Sequence, residues 1–321
     1  MSSYDQPSLR LWDLTDGVLL KKMEGHSSGV RAMAISRDGN IIASGDVRGK
    51  LIIWHGDTGE PLVNAVVHSD KIRSLDFSPD GTVLVTGSKD KMAKLLNTIG
   101  WQMNGNPIRC DGAVYCVRYS SSGELAIATN RHLEIWDPRN SECIAKFKVA
   151  INFSLVWTPD GTHLLSGGST RDPTIREWDT STWLQVGEPW SGHTRYIDGL
   201  AMNSTGTLIA SASDDNHVRL WRRADRRTIA TFIHSHPVFC VTFSVDDKYI
   251  FSGGSDNKIS EWAVPEDALL RDEDFISPKN TLLEYSSEER ETTKGSSRHF
   301  GIYNYSTSAL RIGLASKLDG L

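Results

Sequence analysis

Tryptophan recurs on a beat. Trp12, Trp54, Trp136, Trp178, Trp221 and Trp262 stand about 42 residues apart or at twice that interval, and Leu96 fills the one gap. A turn keeps time upstream of each unit's end: SRDG (Ser36–Gly39), SPDG (Ser78–Gly81), SSSG (Ser120–Gly123), TPDG (Thr158–Gly161), NSTG (Asn203–Gly206) and SVDD (Ser244–Asp247). Asp-Gly between alternating apolar runs marks a hairpin, because glycine accepts the positive φ a tight turn needs. A histidine opens several units, in Gly25-His26, Val67-His68, Gly192-His193 and Ser235-His236. A chain this periodic is a set of like units, each burying a face against its neighbours.

Inside one unit the alternation has a period of two. VRAMAIS (Val30–Ser36), NIIASGD (Asn40–Asp46), KLIIWH (Lys50–His55) and PLVNAVVH (Pro61–His68) read as four successive strands. Four short strands per unit describe a propeller blade and not a helical repeat. Bulk properties narrow the class further. The net charge of −5 gives no basic field for specific nucleic-acid binding. No apolar run is long enough to insert in a membrane, and MSSYDQPS lacks the pattern of a signal peptide, so the expected location is intracellular, cytoplasmic and/or nuclear. Cys110, Cys116, Cys143 and Cys240 form no C-x-x-C pair and read as thiols in a reducing compartment. There is no glycine-rich phosphate loop and no metal-ligand spacing, so no cofactor is expected.

The Gly-His starts, SPDG turns, LASGSxD-like second strands and LWD ends together resemble the WD40 repeat family, over about residues 8–264. The resemblance implies an all-β fold, a WD40-type β-propeller of seven blades whose first blade is split between the two termini. Six blades, or an incompletely closed seventh, are the alternatives. It also implies a hydrogen-bonded tetrad of His, Ser or Thr, Asp and Trp inside each blade. The sixth unit carries His193, Ser211, Asp215 and Trp221, and the seventh His236, Ser252, Asp256 and Trp262. The third keeps His68, Thr86 and Asp90 but has Leu96 for the Trp. The second keeps His26, Ser44 and Trp54, with Arg48 at the Asp position. The fifth keeps Ser166, Asp172 and Trp178, and the fourth keeps only Trp136, with Ala126 and Asn130 in place of the Ser and Asp. A trio that recurs unit after unit is scaffold rather than a catalytic triad, which needs one exposed nucleophile in one cleft.

Function then falls on the exposed top face. The resemblance implies that the two residues flanking the first apolar position of the innermost strand, and the one before the turn Asp, project there. They supply Arg31, Lys71, Arg73, Lys89, Tyr115, Phe153, Arg171, Tyr196, Asp198, Asp214 and Phe239. Arg, Tyr and Phe around a concavity have the composition of an interface, and the basic sector suits an acidic or phosphorylated peptide. The expected function is a non-catalytic scaffold that binds partner proteins, as a monomer within a complex. Alternatives are the substrate receptor of a cullin-RING ubiquitin ligase, suggested by Trp136-Asp137-Pro138-Arg139, and a sensor-type array related to larger signalling proteins. An enzyme on this fold would need ionisable groups clustered at the channel mouth; only Asp198, Asp214 and Arg171 are candidates.

The ends are irregular. SLRLWDLTDG (Ser8–Gly17) reads as the third strand and turn of a blade whose first half is missing. Residues 265–298 are charged and Ser/Thr-rich, the composition of a disordered linker, and residues 299–321 regain β-formers. One closure has residues 299–321 supply the first two strands of that blade, with LASKLDGL (Leu314–Leu321) as its second. The other has Val18–Met23 serve as the fourth strand of the last blade.

Overall fold

A computed structural model describes residues 7–13, 17–148, 154–256 and 258–268, and the backbone of 300–304. Each repeat forms an antiparallel meander. The strands are β3 (Val30–Ile35), β4 (Ile41–Asp46), β5 (Lys50–His55) and β6 (Pro61–Val66) in one sheet; β7 (Ile72–Phe77), β8 (Val83–Ser88), β9 (Met92–Asn97) and the short β10 (Ile108–Arg109) in the next; then β11 (Val114–Tyr119), β12 (Leu125–Thr129), β13 (His132–Asp137) and β14 (Glu142–Lys148). A three-stranded sheet follows, β15 (Ser154–Trp157), β16 (His163–Gly167) and β17 (Ile175–Asp179), whose outer edge is reduced to the bridges Trp178–Gln185 and Ile175–Trp190. β18 (Ile197–Met202), β19 (Leu208–Ser213), β20 (His217–Arg222) and β21 (Arg227–Ile233) form another four-stranded sheet. β22 (Val238–Phe243), β23 (Tyr249–Gly254) and β24 (Ile259–Ala263) complete the run. These six blades make the β-propeller. The leading strands stand side by side in order: β3 by β7, β7 by β11, β11 by β15, β15 by β18, β18 by β22.

The hairpin turns repeat one chemistry. Ser36, Ser78 and Thr158 each donate a hydroxyl to the Asp two residues on, and the following glycines take the left-handed backbone, with φ of 74° at Gly39 and 72° at Gly81 and Gly161. SVDD lacks the glycine, yet Asp247 adopts φ 59°. Its carboxylate is held by the backbone N–H of Ser204, 3.0 Å away in the neighbouring blade's turn, which offsets the strain of a side chain there.

Blades pack through a knob against a missing side chain. Ile72, Val114 and Ile197 open their leading strands fully buried. Each presses on a glycine of the preceding blade: a Cβ on Gly45 would lie 2.5 Å from Ile72, on Gly87 2.7 Å from Val114, and on Gly167 2.8 Å from Ile197. Hydroxyls add to the joint. Ser74 accepts the N–H of Val117 at 3.0 Å, and Ser154 donates to the Ile197 carbonyl at 3.0 Å.

A further three-stranded sheet runs β2 (Val18–Glu24), β1 (Ser8–Asp13), β25 (Phe300–Asn304). β1 is antiparallel to both, with Leu9 opposite Met23 on one side and Asn304 on the other. β2 therefore pairs with β1 and not with β24, which has no outer strand among the described residues. The place beside β1 belongs to residues 300–304, while the LASKLDGL segment lies outside the described residues. No innermost strand completes this sheet among the described residues, so six blades are what the fold establishes. Past residue 264, Glu266–Ala268 forms a turn of 3₁₀ helix, and buried Ala268 joins the core around Leu208 and Val238. Residues 269–299 lie outside the described part.

Candidate protein-interaction face

The tetrads are built as continuous hydrogen-bond chains. Trp221 Nε1 donates to Ser211 Oγ at 2.8 Å, Ser211 Oγ is 2.7 Å from His193 Nε2, and His193 Nδ1 is 2.9 Å from Asp215. One tautomer satisfies every member: the serine hydroxyl donates to Nε2 and Nδ1–H donates to the carboxylate. His68 stands 2.7 Å from Thr86 Oγ1 and 2.9 Å from Asp90. Burial pushes the imidazoles of His26, His68 and His193 below their ordinary value, against the pull of the paired Asp, so they stay neutral at pH 7. Burial opposes the charge on Asp46, Asp90 and Asp215 too, but the donors around each outweigh it and hold the carboxyl below its usual range.

Three sequence assignments change. The histidine of the β22–β24 blade is His234, not His236. His234 is buried, 2.8 Å from Ser252 and 3.2 Å from Asp256, with Trp262 donating to Ser252 at 2.8 Å. His236 is exposed and touches Ser235. In the β3–β6 blade Arg48 does not leave the site empty. Asp46, two residues earlier, lies 3.1 Å from His26 and accepts the N–H groups of Arg48 and Lys50. Trp54 donates to Ser44, which lies 2.7 Å from His26. In the β15–β17 blade Trp178 donates to Ser166 at 3.0 Å, while Asp172 pairs with Arg176. In the β11–β14 blade, register puts Ile127, not Ala126, where the other blades carry Ser or Thr. Trp136 turns instead to Glu134, at 3.2 Å. The serines at the centre of these chains are fully buried, so none can meet a substrate.

The top face has a backbone cause. Each described leading strand except β15 slips register after its first residue: between Val30 and Ala32, Ile72 and Ser74, Val114 and Cys116, Ile197 and Gly199, and Val238 and Cys240. The residue left out of each ladder is Arg31, Arg73, Tyr115, Asp198 or Phe239. A bulge re-aims a side chain that would otherwise alternate into the sheet. Four of these meet. Arg31 feels both Arg73 and Asp198, although β3 and β18 belong to blades that are not neighbours. The guanidinium of Arg73 lies 4.4 Å from the ring centre of Tyr115, a cation–π contact. Burial, and then the nearby Asp214, push the Asp198 carboxyl up to about 7 in spite of Arg73 and Arg31. The mouth thus holds two guanidiniums against a carboxyl that is only partly ionised at neutral pH.

Lys71 and Lys89 are joined by a backbone hydrogen bond, and Lys89 reaches Asp70 at 4.0 Å. Asp214 is bound through its N–H to the Tyr196 carbonyl and pairs with Arg195 at 3.3 Å. Arg171 is exposed in the turn before β17, and Phe239 is half-buried. Phe153 lies outside the described residues. Sequence reasoning missed Asp76, which burial pushes above the usual range beside Arg118 and which accepts the Tyr119 N–H at 2.8 Å. Cys110, Cys116 and Cys240 are buried free thiols and Cys143 is exposed. Arg139 of the Trp-Asp-Pro-Arg box is folded back on Asp137 through two bonds of 2.8 and 3.1 Å. No helix among the described residues is long and apolar enough to cross a membrane.

Blades pinned by buried tetrads around a charged mouth define a repeat-built β-propeller of the protein-binding kind. The chain belongs to the WD40 family: the profile described as WD domain, G-beta repeat, matches residues 17–55, 59–97, 141–179, 185–222 and 226–262. Residues 98–140, which include the first three strands of the blade without a tetrad hydroxyl, fall between matches. Similar proteins include the WD repeat-containing protein 91 homolog of Dictyostelium discoideum, 24% identical over 56% of this chain and 25% of that protein. Another is the anaphase-promoting complex subunit cdc20 of the same organism, 29% identical over 54% of this chain and 34% of that protein. Periodic tryptophan protein 2 of Arabidopsis thaliana is 24% identical over 82% of this chain and 25% of that protein. The matched stretch is thus no more than about a third of these relatives' length.

Proposed function

We propose that the protein is a non-catalytic interaction scaffold inside the cell, and that its channel mouth takes an acidic or phosphorylated segment of a partner. The observation that supports this most directly is the convergence of Arg31 and Arg73 as bulge residues beside a carboxyl that is only partly ionised at neutral pH. Two guanidiniums so placed can turn toward one anion, and arginine pairs bidentately with carboxylate or phosphate. Lys71 and Lys89 add positive charge in the same sector, and Tyr115 supplies a flat apolar wall. Such a face suits a bound peptide of opposite charge whose aromatic or aliphatic anchor packs at the centre. Membership of a larger assembly is part of the same reading. One relative is by name a subunit of a complex.

The test is a peptide array of acidic, phosphorylated and neutral sequences, read with wild type and with Arg31→Ala/Arg73→Ala. Anionic sequences should bind, weaken as salt rises, and lose about tenfold or more in the double variant while the thermal midpoint stays put. Equal binding by the double variant would sink the assignment.

A further inference from the structure

The β11–β14 blade lacks its tetrad, and charged groups gather on its face. His132, Glu134 and Trp136 alternate along β13 and share one side of the sheet. Lys146 is the cross-strand partner of Glu134 on β14. Asp111 comes from the loop before β11. One ligand atom from each of Asp111, His132 and Glu134 lies within 4.8 Å of the other two. His132 Nδ1 is 3.9 Å from the Asp111 carboxylate. The Glu134 side chain is only 1% exposed. His132 Nδ1 and Glu134 Oε1 are both shut off from solvent, and neither has a hydrogen-bond partner.

One positive charge is already drawn to this point. Lys146 Nζ sits 3.3 Å from Glu134 Oε1 and bonds Asp111. At 3.3 Å that contact is an ion pair longer than an ordinary N–H···O hydrogen bond, so the buried oxygen still has a lone pair to offer. Lys146 comes from an outer strand, its side chain is 37% exposed, and its four-carbon stem lets it swing into water. A buried carboxylate needs a cation nearby, and a metal ion can fill that role in place of an ammonium.

We propose that Asp111, His132 and Glu134 form a binding site for zinc or a similar borderline divalent transition-metal ion, which displaces Lys146. One imidazole and two carboxylates match that class. Calcium and magnesium prefer all-oxygen shells. Bonds of about 2.0–2.2 Å need the donors about 3–3.5 Å apart, so the ligands close by about 1 Å. Asp111 is exposed on a loop and can make that movement, while His132 and Glu134 are fixed by the strand. The metal would pin the loop between two blades to the blade that lost its hydrogen-bonded chain.

The test titrates the tag-free full chain, stripped by chelator, with Co²⁺ and follows its visible d–d absorption, then adds Zn²⁺. Wild type should develop the band at one equivalent and lose it to zinc, but not to Mg²⁺ or Ca²⁺. Asp111→Asn and His132→Ala should weaken binding by at least about tenfold, since even outer-shell partners are worth that much. Asp111→Asn changes an exposed residue, so an unchanged melting curve certifies its fold. Lys146→Met should tighten binding. The proposal is overturned by folded wild type that shows no cobalt band, by Asp111→Asn binding as well as wild type, or by Lys146→Met leaving the affinity unchanged.

Discussion

Replacing Asp198 by Asn should stabilise the protein at alkaline pH and do nothing at acid pH. The carboxyl titrates at about 7 in the folded chain, against an ordinary value of 3.8. A raised folded-state value means the folded form holds its proton longer than the unfolded form. Below about 4 both states are protonated and there is no penalty. Between about 4 and 7 stability falls as pH rises, and above about 7 the whole cost of a buried charge is present. Three units at about 1.4 kcal/mol each set a ceiling near 4 kcal/mol. Solvent in the channel and relaxation of Arg31 and Arg73 bring the expected gain of Asp198→Asn to about 1–3 kcal/mol. Urea melts of the two proteins near pH 8 and near pH 4 measure it, and the shared histidines cancel in the difference. No gain at pH 8, or an equal gain at both pH values, would refute the reasoning.

Ser211→Ala leaves His193 Nε2 and Trp221 Nε1 buried without partners, so denaturant melts should show a loss of about 2–4 kcal/mol. Gly87→Val should cost about 1–3 kcal/mol, because its Cβ would lie 2.7 Å from Val114 and 2.8 Å from Val117; calorimetry should show a lower midpoint. In the Asp198→Asn background the protein should also lose stability in acid in two stages. His26, His68 and His193 have depressed values, so the unfolded chain takes up protons first as pH falls below about 6.5. Asp46, Asp90 and Asp215 are likewise depressed, so their contribution is present above about 4 and is lost below it; a midpoint-against-pH curve checks both stages.

The repeat was legible because tryptophan, glycine turns and histidine report one period independently. The bulge positions were legible too, since Arg31, Arg73, Tyr115 and Asp198 sit at one place in each unit. What a single sequence does not display is the register slip that turns them toward one point. Ser235-His236 imitates the Gly-His starts of the other units and so points two residues too far along. In each of the four blades with a tetrad histidine, that histidine stands 18 residues before its hydroxyl partner, which selects His234 for Ser252. Asp46 broke a rule of spacing instead. Its carboxylate pairs with a histidine 20 residues away where the other blades use 22, so position alone could not find it. The cluster around Glu134 left no trace as a motif because Asp111 reaches it from outside the sheet.

The pairing of β1 with β25 sets an order of events. Leu9 cannot meet Asn304 until everything between them has been made. Each doubling of a closed loop adds about 0.6 kcal/mol of entropy, so this joint costs several kcal/mol more than the tight hairpin between β1 and β2. During synthesis one edge of β1 stays open while six blades emerge behind it. Among the strand pairings described, the seam is therefore the last that the growing chain can form.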